Sequence, residues 1–400
     1  LARRGKQPLE FGLFLVGPVV ALLTTPILAR ALGPEERGEL GVSLAVVSIV
    51  ATISALGMPQ VLLADSADGR DTSAVRRLAI IGSLVGAALG GGVSMFLGLP
   101  VVVSLLIALA VPAAIAPQIW TSASLWGQGT LRVAVSAAAA GVIRLVAIPV
   151  LAGLGLLTLG AALTLQAFVL LLVGGALLLP FVRRLPSERR SRTLPEALLA
   201  GAPVVGFGVL TAVTLRADLI TLQLASDEYQ VGIYAAVVAV TQAALAVSTF
   251  FRNRAQAGIA GGLSGMAVWR YPLALAGIGA VGIAAAQFFA QPLCDILFGS
   301  EYEGAASVMR VLAVAAAMQM LLDVGQGMLI AAGKRGPLLG VAAVGATATI
   351  LMLLLLVPHM GAVGAAVAAT AGGAVSVVVA FVLLLGGWRN IPREARGSAS

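Results

Sequence analysis

The sequence predicts an all-α integral membrane protein with twelve transmembrane helices, arranged as two sets of six around a central cavity. Three observations carry that prediction. Of 400 residues, 60% are hydrophobic and only 10% charged, against roughly 25% charged in a soluble domain, so the charges cannot cover a water-facing surface. Apolar runs of about 20 residues, enough to cross a hydrocarbon core of roughly 30 Å, recur along the whole chain. The basic residues cluster in alternate loops between those runs, as the positive-inside rule requires.

The spans fall at about 10–30, 40–63, 78–98, 101–121, 132–153, 157–181, 197–217, 231–251, 271–293, 304–327, 337–358 and 361–386. Helices are the reading because open sheet edges go unsatisfied in lipid, and the runs are too long and unbroken for barrel strands.

Span one follows Arg3, Arg4 and Lys6 and holds Pro18 and Pro26 on either side of Thr24 and Thr25. Proline frees a carbonyl and bends a helix, so this is the helix expected to bend during a working cycle. No small-residue cleavage region follows it, so it reads as a span and not as a signal peptide. Span two is entered through the acidic turn of Glu35, Glu36 and Glu39, where Arg30 and Arg37 are the basic exceptions, and exits toward Arg70, Arg76 and Arg77. Span three carries a glycine-rich stretch from Gly86 to Gly91 suited to close helix packing. Span four holds Pro112, Pro117 and Gln118, and Arg132 opens span five, which has Arg144 near its middle; Gln166 lies in span six.

The longest polar connection lies between Phe181 and Ala197 and is rich in arginine. It divides the chain into a six-helix set at 1–181, a basic cytoplasmic linker at 182–196, a second set at 197–388 and a tail at 389–400. In the second set, span seven ends with Arg216 and Asp218, the next turn carries Asp227 and Glu228, and span eight contains Gln242 and leads to Arg252, Arg254 and Arg270. Asp295 closes span nine and Glu301 and Glu303 follow; span ten bears Arg310, Gln319, Asp323 and Gln326, and Lys334 and Arg335 precede span eleven. With Arg389, Arg393 and Arg396 after span twelve, most basic residues fall on one side, which places both termini in the cytoplasm of a multi-pass protein of the inner (plasma) membrane.

An offset of 194 residues lays Gly38 on Gly232 and aligns VSLAVVSI near AAVVAVTQ. Both stretches join an acidic turn to the second helix of a set. Six helices per set keep both copies in one orientation, the plan of a parallel repeat with its substrate site between the halves.

Ionisable side chains deep in a span are costly and face a cavity or a partner. Arg144 suits an anionic head group, since a guanidinium fork matches phosphate; the alternative is a structural arginine paired with Asp323 or snorkelling to the interface. Gln319, Asp323 and Gln326 lie at i, i+4 and i+7 on one stripe, a wet or substrate-lined face or an interhelical cluster. The acid there could take a coupling proton or sodium ion. Arg310, Gln166 and Gln242 complete the candidates for a central cavity. Arg216 and Asp218, two apart on a helix, point to separate partners and suit an outer gate or packing.

A single Cys294 and a lone His359 leave no basis for an internal disulfide or a zinc site. No paired carboxylates, histidine cluster or phosphate-binding loop is present, and AAGKRG from Ala331 lacks the loop's framework. No enzyme, cofactor, metal or nucleic-acid partner is expected, and the chain is expected to be a monomer.

The stretches PILARALGPEERGELGVSLAV, RADLITLQLASDEYQVGIYAAV and LCDILFGSEYEGAASVMRVLAVA together resemble the polysaccharide-exporting branch of the multidrug/oligosaccharidyl-lipid/polysaccharide (MOP) flippase superfamily, over about residues 10–386. The resemblance implies two six-helix lobes in a V around a cationic cavity. It implies flipping of polyprenyl-phosphate- or polyprenyl-pyrophosphate-linked oligosaccharides from the cytoplasmic to the outer leaflet. Arg216 and Asp218 match its seventh-helix motif, Leu297, Phe298, Gly299 and Tyr302 its LFG-x-x-Y motif, and Arg144 is the central arginine match in the first half. A polysaccharide polymerase and glycosyltransferases are the protein partners such a role would have. Two other readings compete: an ion-coupled small-molecule or multidrug transporter with its site at Asp323, and a non-transporting scaffold of a polymer-synthesis complex.

Overall fold

A computed structural model describes residues 7–67, 71–126, 130–182, 193–260 and 266–388. The basic positions Arg3, Arg4, Lys6, Arg70, Arg183, Arg184, Arg189, Arg190, Arg192, Arg389, Arg393 and Arg396 lie outside the described residues, as do most of the linker and the tail. The chain forms α1 (Gln7–Ser54), α2 (Met58–Ala67), α3 (Ser73–Phe96), α4 (Val101–Trp126), α5 (Thr130–Gly153), α6 (Leu159–Val182), α7 (Leu194–Ala225), α8 (Glu228–Ala260), α9 (Met266–Leu297), α10 (Ala305–Ala331) and α11 (Arg335–Trp388). No strand occurs among the described residues.

At 1.5 Å per residue α1 and α11 would each exceed about 70 Å, more than twice a hydrocarbon core. Each is broken by a glycine that leaves helical geometry, Gly33 (φ 73°, ψ 174°) and Gly361 (φ 52°, ψ −131°). Pro34 follows the first break and removes an amide donor from the ladder. Among the described residues, nine helices are long and apolar enough to cross a membrane, or ten if the bent pair Glu228–Gln242 and Val247–Ile259 is one span. Their lipid-facing sides carry large exposed side chains such as Leu84, Leu105, Phe288 and Leu354. This is a multi-pass membrane fold.

Three boundaries differ from the sequence reading. The second apolar run is not one helix: it turns at Ala55–Gly57, where Leu56 (φ 51°) and Gly57 (φ 67°) adopt left-handed backbone. Packing explains the turn, because the Leu56 carbonyl lies so close to Gly201 that a Cβ there would overlap it. α7 begins at Leu194 because Thr193 and Glu196 form a capping box, with the Glu196 carboxylate accepting from the Thr193 amide at 2.9 Å. α8 continues to Ala260, so Arg252 and Arg254 are helical residues and not loop residues.

The helices before residue 183 pack mainly on one another, with α1 against α5 and α4 against α3 and α6; those after residue 193 do likewise through α10 against α8, α9 and α11, and α11 against α7. The two sets meet chiefly where α1 lies along α8, and secondarily where α1 meets α7. Leu40, Val46, Tyr234, Ile233 and Met309 belong to one apolar core that runs across this meeting. A second core, with Leu275, Met320, Met328 and Leu338, is confined to the later helices.

Candidate functional site

A cavity of about 370 Å³ lies where α1, α5, α6, α7 and α8 converge. Its polar lining consists of Thr24, Thr25 and Arg37 from α1, Arg144 from α5, Gln166 from α6, Arg216 from α7 and Gln242 from α8, with no Asp or Glu among the lining residues. Small residues, including Gly17, Gly41, Ala137, Gly141 and Ala235, also line it and leave room for the long side chains to converge.

The arginines are poorly compensated. Arg37 is 5% exposed; its Nη2 donates to the Ala235 carbonyl at 3.2 Å and its Nε has no partner. The Nε of Arg144 is likewise buried without a partner. Arg216 has Asp218 nearby, but that carboxylate is turned away from the cavity: its Oδ2 accepts from the Tyr234 hydroxyl at 2.6 Å and its Oδ1 from the Leu219 amide at 2.7 Å. Arg37 is buried and Arg144 and Arg216 are half-buried; a desolvated guanidinium is costly unless paired, so three in one cavity call for an anion. The threonines contribute little polarity, since Thr24 and Thr25 spend their hydroxyls on the Val20 and Ala21 carbonyls of their own helix.

The structure divides the sequence candidates. Arg144, Gln166 and Gln242 share the cavity with Pro18 of α1; Pro26 is half-buried in the same helix segment. Arg216, read as an outer gate or packing residue, also lines the cavity, while Asp218 packs behind it against Tyr234. Arg310, Gln319, Asp323 and Gln326 are not in the cavity. Arg310 is in the second turn of α10, where its carbonyl accepts from Gln287. Gln319 and Gln326 line a pocket of about 10 Å³ with Thr211, Thr214 and Ser376, room for about one water. Asp323 accepts from Arg252 Nη1 at 2.7 Å and from Ser248 Oγ at 2.8 Å, tying α10 to α8. The continuation of α8 past residue 251 brings Arg252 there, so Asp323 is paired with Arg252 and not with Arg144. Arg37 was the residue missed. It reads as a loop charge between glutamates, yet Gly38 and Gly41 beside it signal a helix face in close contact. Among the described residues, no group of three or more His, Cys, Asp or Glu side chains could hold a metal ion.

A family model described as polysaccharide biosynthesis protein matches residues 13–255. No curated protein matches the chain. Among solved structures, the chain is similar to the lipid II flippase MurJ in an inward closed conformation, at 9% identity and TM-score 0.76, with 94% of this chain and 87% of that one covered. It is similar also to a multidrug resistance MATE family transporter of the MOP superfamily, inward-facing (17% identity, TM-score 0.64, 96% of each chain). A third is the Vibrio cholerae MATE transporter VcmN in its bent form (15% identity, TM-score 0.56, 96% of this chain and 97% of that one). These likenesses show that the chain shares the fold of those proteins.

Proposed function

We propose that this chain, which belongs to the polysaccharide biosynthesis protein family, is a flippase for lipid-linked oligosaccharides. It moves a polyprenyl-phosphate- or polyprenyl-pyrophosphate-linked oligosaccharide from the cytoplasmic to the outer leaflet by alternating access. One observation carries the reading: Arg37, Arg144 and Arg216 line a single cavity that has no carboxylate in its lining. Guanidinium forks bind phosphate oxygens in pairs, and in a low-dielectric cavity each such bond is worth more than in water. The volume is that of a pocket for a small ligand, which suits the phosphorylated head while the lipid tail stays among acyl chains.

On this reading α1, divided at Gly33, and α11, divided at Gly361, make up twelve crossings in two lobes of six with the cavity between them, and the positive-inside rule puts both termini in the cytoplasm. The ends bearing Gly33, Asp227 and Tyr302 then face outward. A carrier of cationic drugs fits less well, because the acid it would use, Asp323, is already bonded to Arg252 and Ser248 outside the cavity.

The test is the appearance of a fluorescent polyprenyl-pyrophosphate sugar in the outer leaflet of proteoliposomes. Arg144→Ala and Arg216→Ala should each slow it at least about tenfold, the cost of losing one charged hydrogen bond. Undiminished rates in both variants would remove the reading.

A further inference from the structure

Arg37 lines the cavity and also ties the two helix sets together. It sits one turn after the break at Gly33, and its Nη2 reaches across to the Ala235 carbonyl on α8. Beside that bond the two backbones touch. A Cβ on Gly38 would lie 2.9 Å from the Gly232 nitrogen, and one on Gly41 would lie 2.6 Å from the Ala235 Cβ. The guanidinium therefore bridges α1 to α8 beside this close approach while its Nε, buried and without a partner, remains free for a second acceptor.

The two acceptors are unequal. A neutral helix carbonyl offers a single uncharged oxygen, whereas a phosphate offers several charged ones in the geometry of the fork, and charge-assisted bonds are about twice as strong. We propose that Arg37 is the positioning residue through which an anionic phosphate head in the cavity releases the contact between α1 and α8. Oxygens taken by Nε and Nη2 draw the guanidinium off the Ala235 carbonyl, and the Gly38–Gly232 approach loses a bond that holds it shut. The bonds from Tyr302 to the Ala29 carbonyl and from Arg30 to the Ile296 carbonyl also join the sets at this end, but neither Tyr302 nor Arg30 lines the cavity, so neither answers to a ligand there. An empty cavity keeps all three bonds; a filled one loses the bond nearest the glycine contact. The inference rests on the flippase reading, because it needs a phosphate head in this cavity.

Nitroxide labels on Glu35→Cys and Glu301→Cys, both exposed and on opposite sets, report the spacing in a Cys294→Ser background of the full chain in lipid nanodiscs. Inorganic pyrophosphate and farnesyl diphosphate are the probes, with their binding measured by calorimetry on the same samples. In the parent protein either probe should shift the distance distribution toward longer values. Arg37→Gln should show the longer distances with no probe, its open-to-closed ratio raised about tenfold, and should not respond further. Binding with no change of distance in the parent protein overturns the latch and leaves the flippase reading standing. A closed distribution in probe-free Arg37→Gln also overturns it. Absence of binding to the parent protein sinks both. Should Arg37→Gln fail to fold, the parent protein's response to the probes decides alone, and that response is one a purely structural arginine would not produce.

Discussion

Gly38 and Gly232 touch backbone to backbone where α1 crosses α8, and they are the two positions that an offset of 194 residues lays upon each other. The contact is reciprocal. A Cβ on Gly38 would meet the Glu228 carbonyl at 3.2 Å, and a Cβ on Gly232 would overlap the Pro34 carbonyl; Pro34 and Glu228 are themselves 194 apart. Gly41 and Ala235, at the same offset, also meet. Contacts of i with j′ and of j with i′ are what a two-fold axis produces, so the two halves meet here as related copies do.

Replacing Gly232 should therefore do more than add a methyl group. Because the obstacle is a backbone carbonyl, Gly232→Ala must separate α1 from α8 by a shift of whole helices. A loss of about 1–3 kcal/mol is expected from such overpacking. Thermal unfolding of the purified protein measures it, and Gly92→Ala, at a glycine with open space around it, should leave the melting temperature unchanged.

Arg144→Ala should separate stability from function. The side chain is half-buried, with its Nε buried and unpaired, so removing it relieves a partly desolvated charge. The melting temperature should stay level or rise while affinity for inorganic pyrophosphate falls about tenfold or more. A parallel loss of both would mark the residue as structural.

Asp323 should behave in the opposite way. Its bonds to Arg252 and Ser248 join α10 to α8, and Gly327 leaves room for the arginine stem, since a Cβ there would overlap Arg252 Cγ. Asp323→Asn and Arg252→Gln should each cost about 1–3 kcal/mol, with a double-mutant cycle showing that the losses overlap. Pyrophosphate affinity should change less than twofold in either.

Tyr302 supplies a pH dependence. Burial pushes its phenol well above the usual tyrosine range, outweighing the nearby positive charge of Arg37, which pulls the other way. The neutral hydroxyl donates to the Ala29 carbonyl at 2.9 Å. Since the folded value lies above the unfolded value of about 10, the stabilisation is fully present below pH ~10 and is lost as pH rises beyond it. Stability measured from pH 8 upward should decline above pH ~10 in the parent protein. Tyr302→Phe should be less stable at pH 8 and show a shallower alkaline decline.

Much of the fold is legible in the chain because lipid imposes a simple rule, a long apolar run ended by charge or glycine. The rule is blind to the Leu56–Gly57 turn, which interrupts an unbroken apolar run because Gly201 packs against it. It is equally blind to the extra turns of α8, where Arg252 pairs with Asp323 and Arg254 lies over the Phe250 ring.

The sequence by itself determined a helical membrane protein, the offset that lays Gly38 on Gly232, and Arg144, Arg310, Gln166, Gln242, Gln319, Asp323 and Gln326 alike as candidates for a central cavity, because hydrophobicity and charge are properties of composition and order. Only the tertiary structure decided which charges share a space. Arg37 and Arg216 turn inward beside Arg144, while Asp218 and Asp323 are taken up by Tyr234, Ser248 and Arg252. Periodicity places a residue on one face of its own helix, but the sign and strength of the field in a cavity depend on which faces of five different helices are turned toward one another.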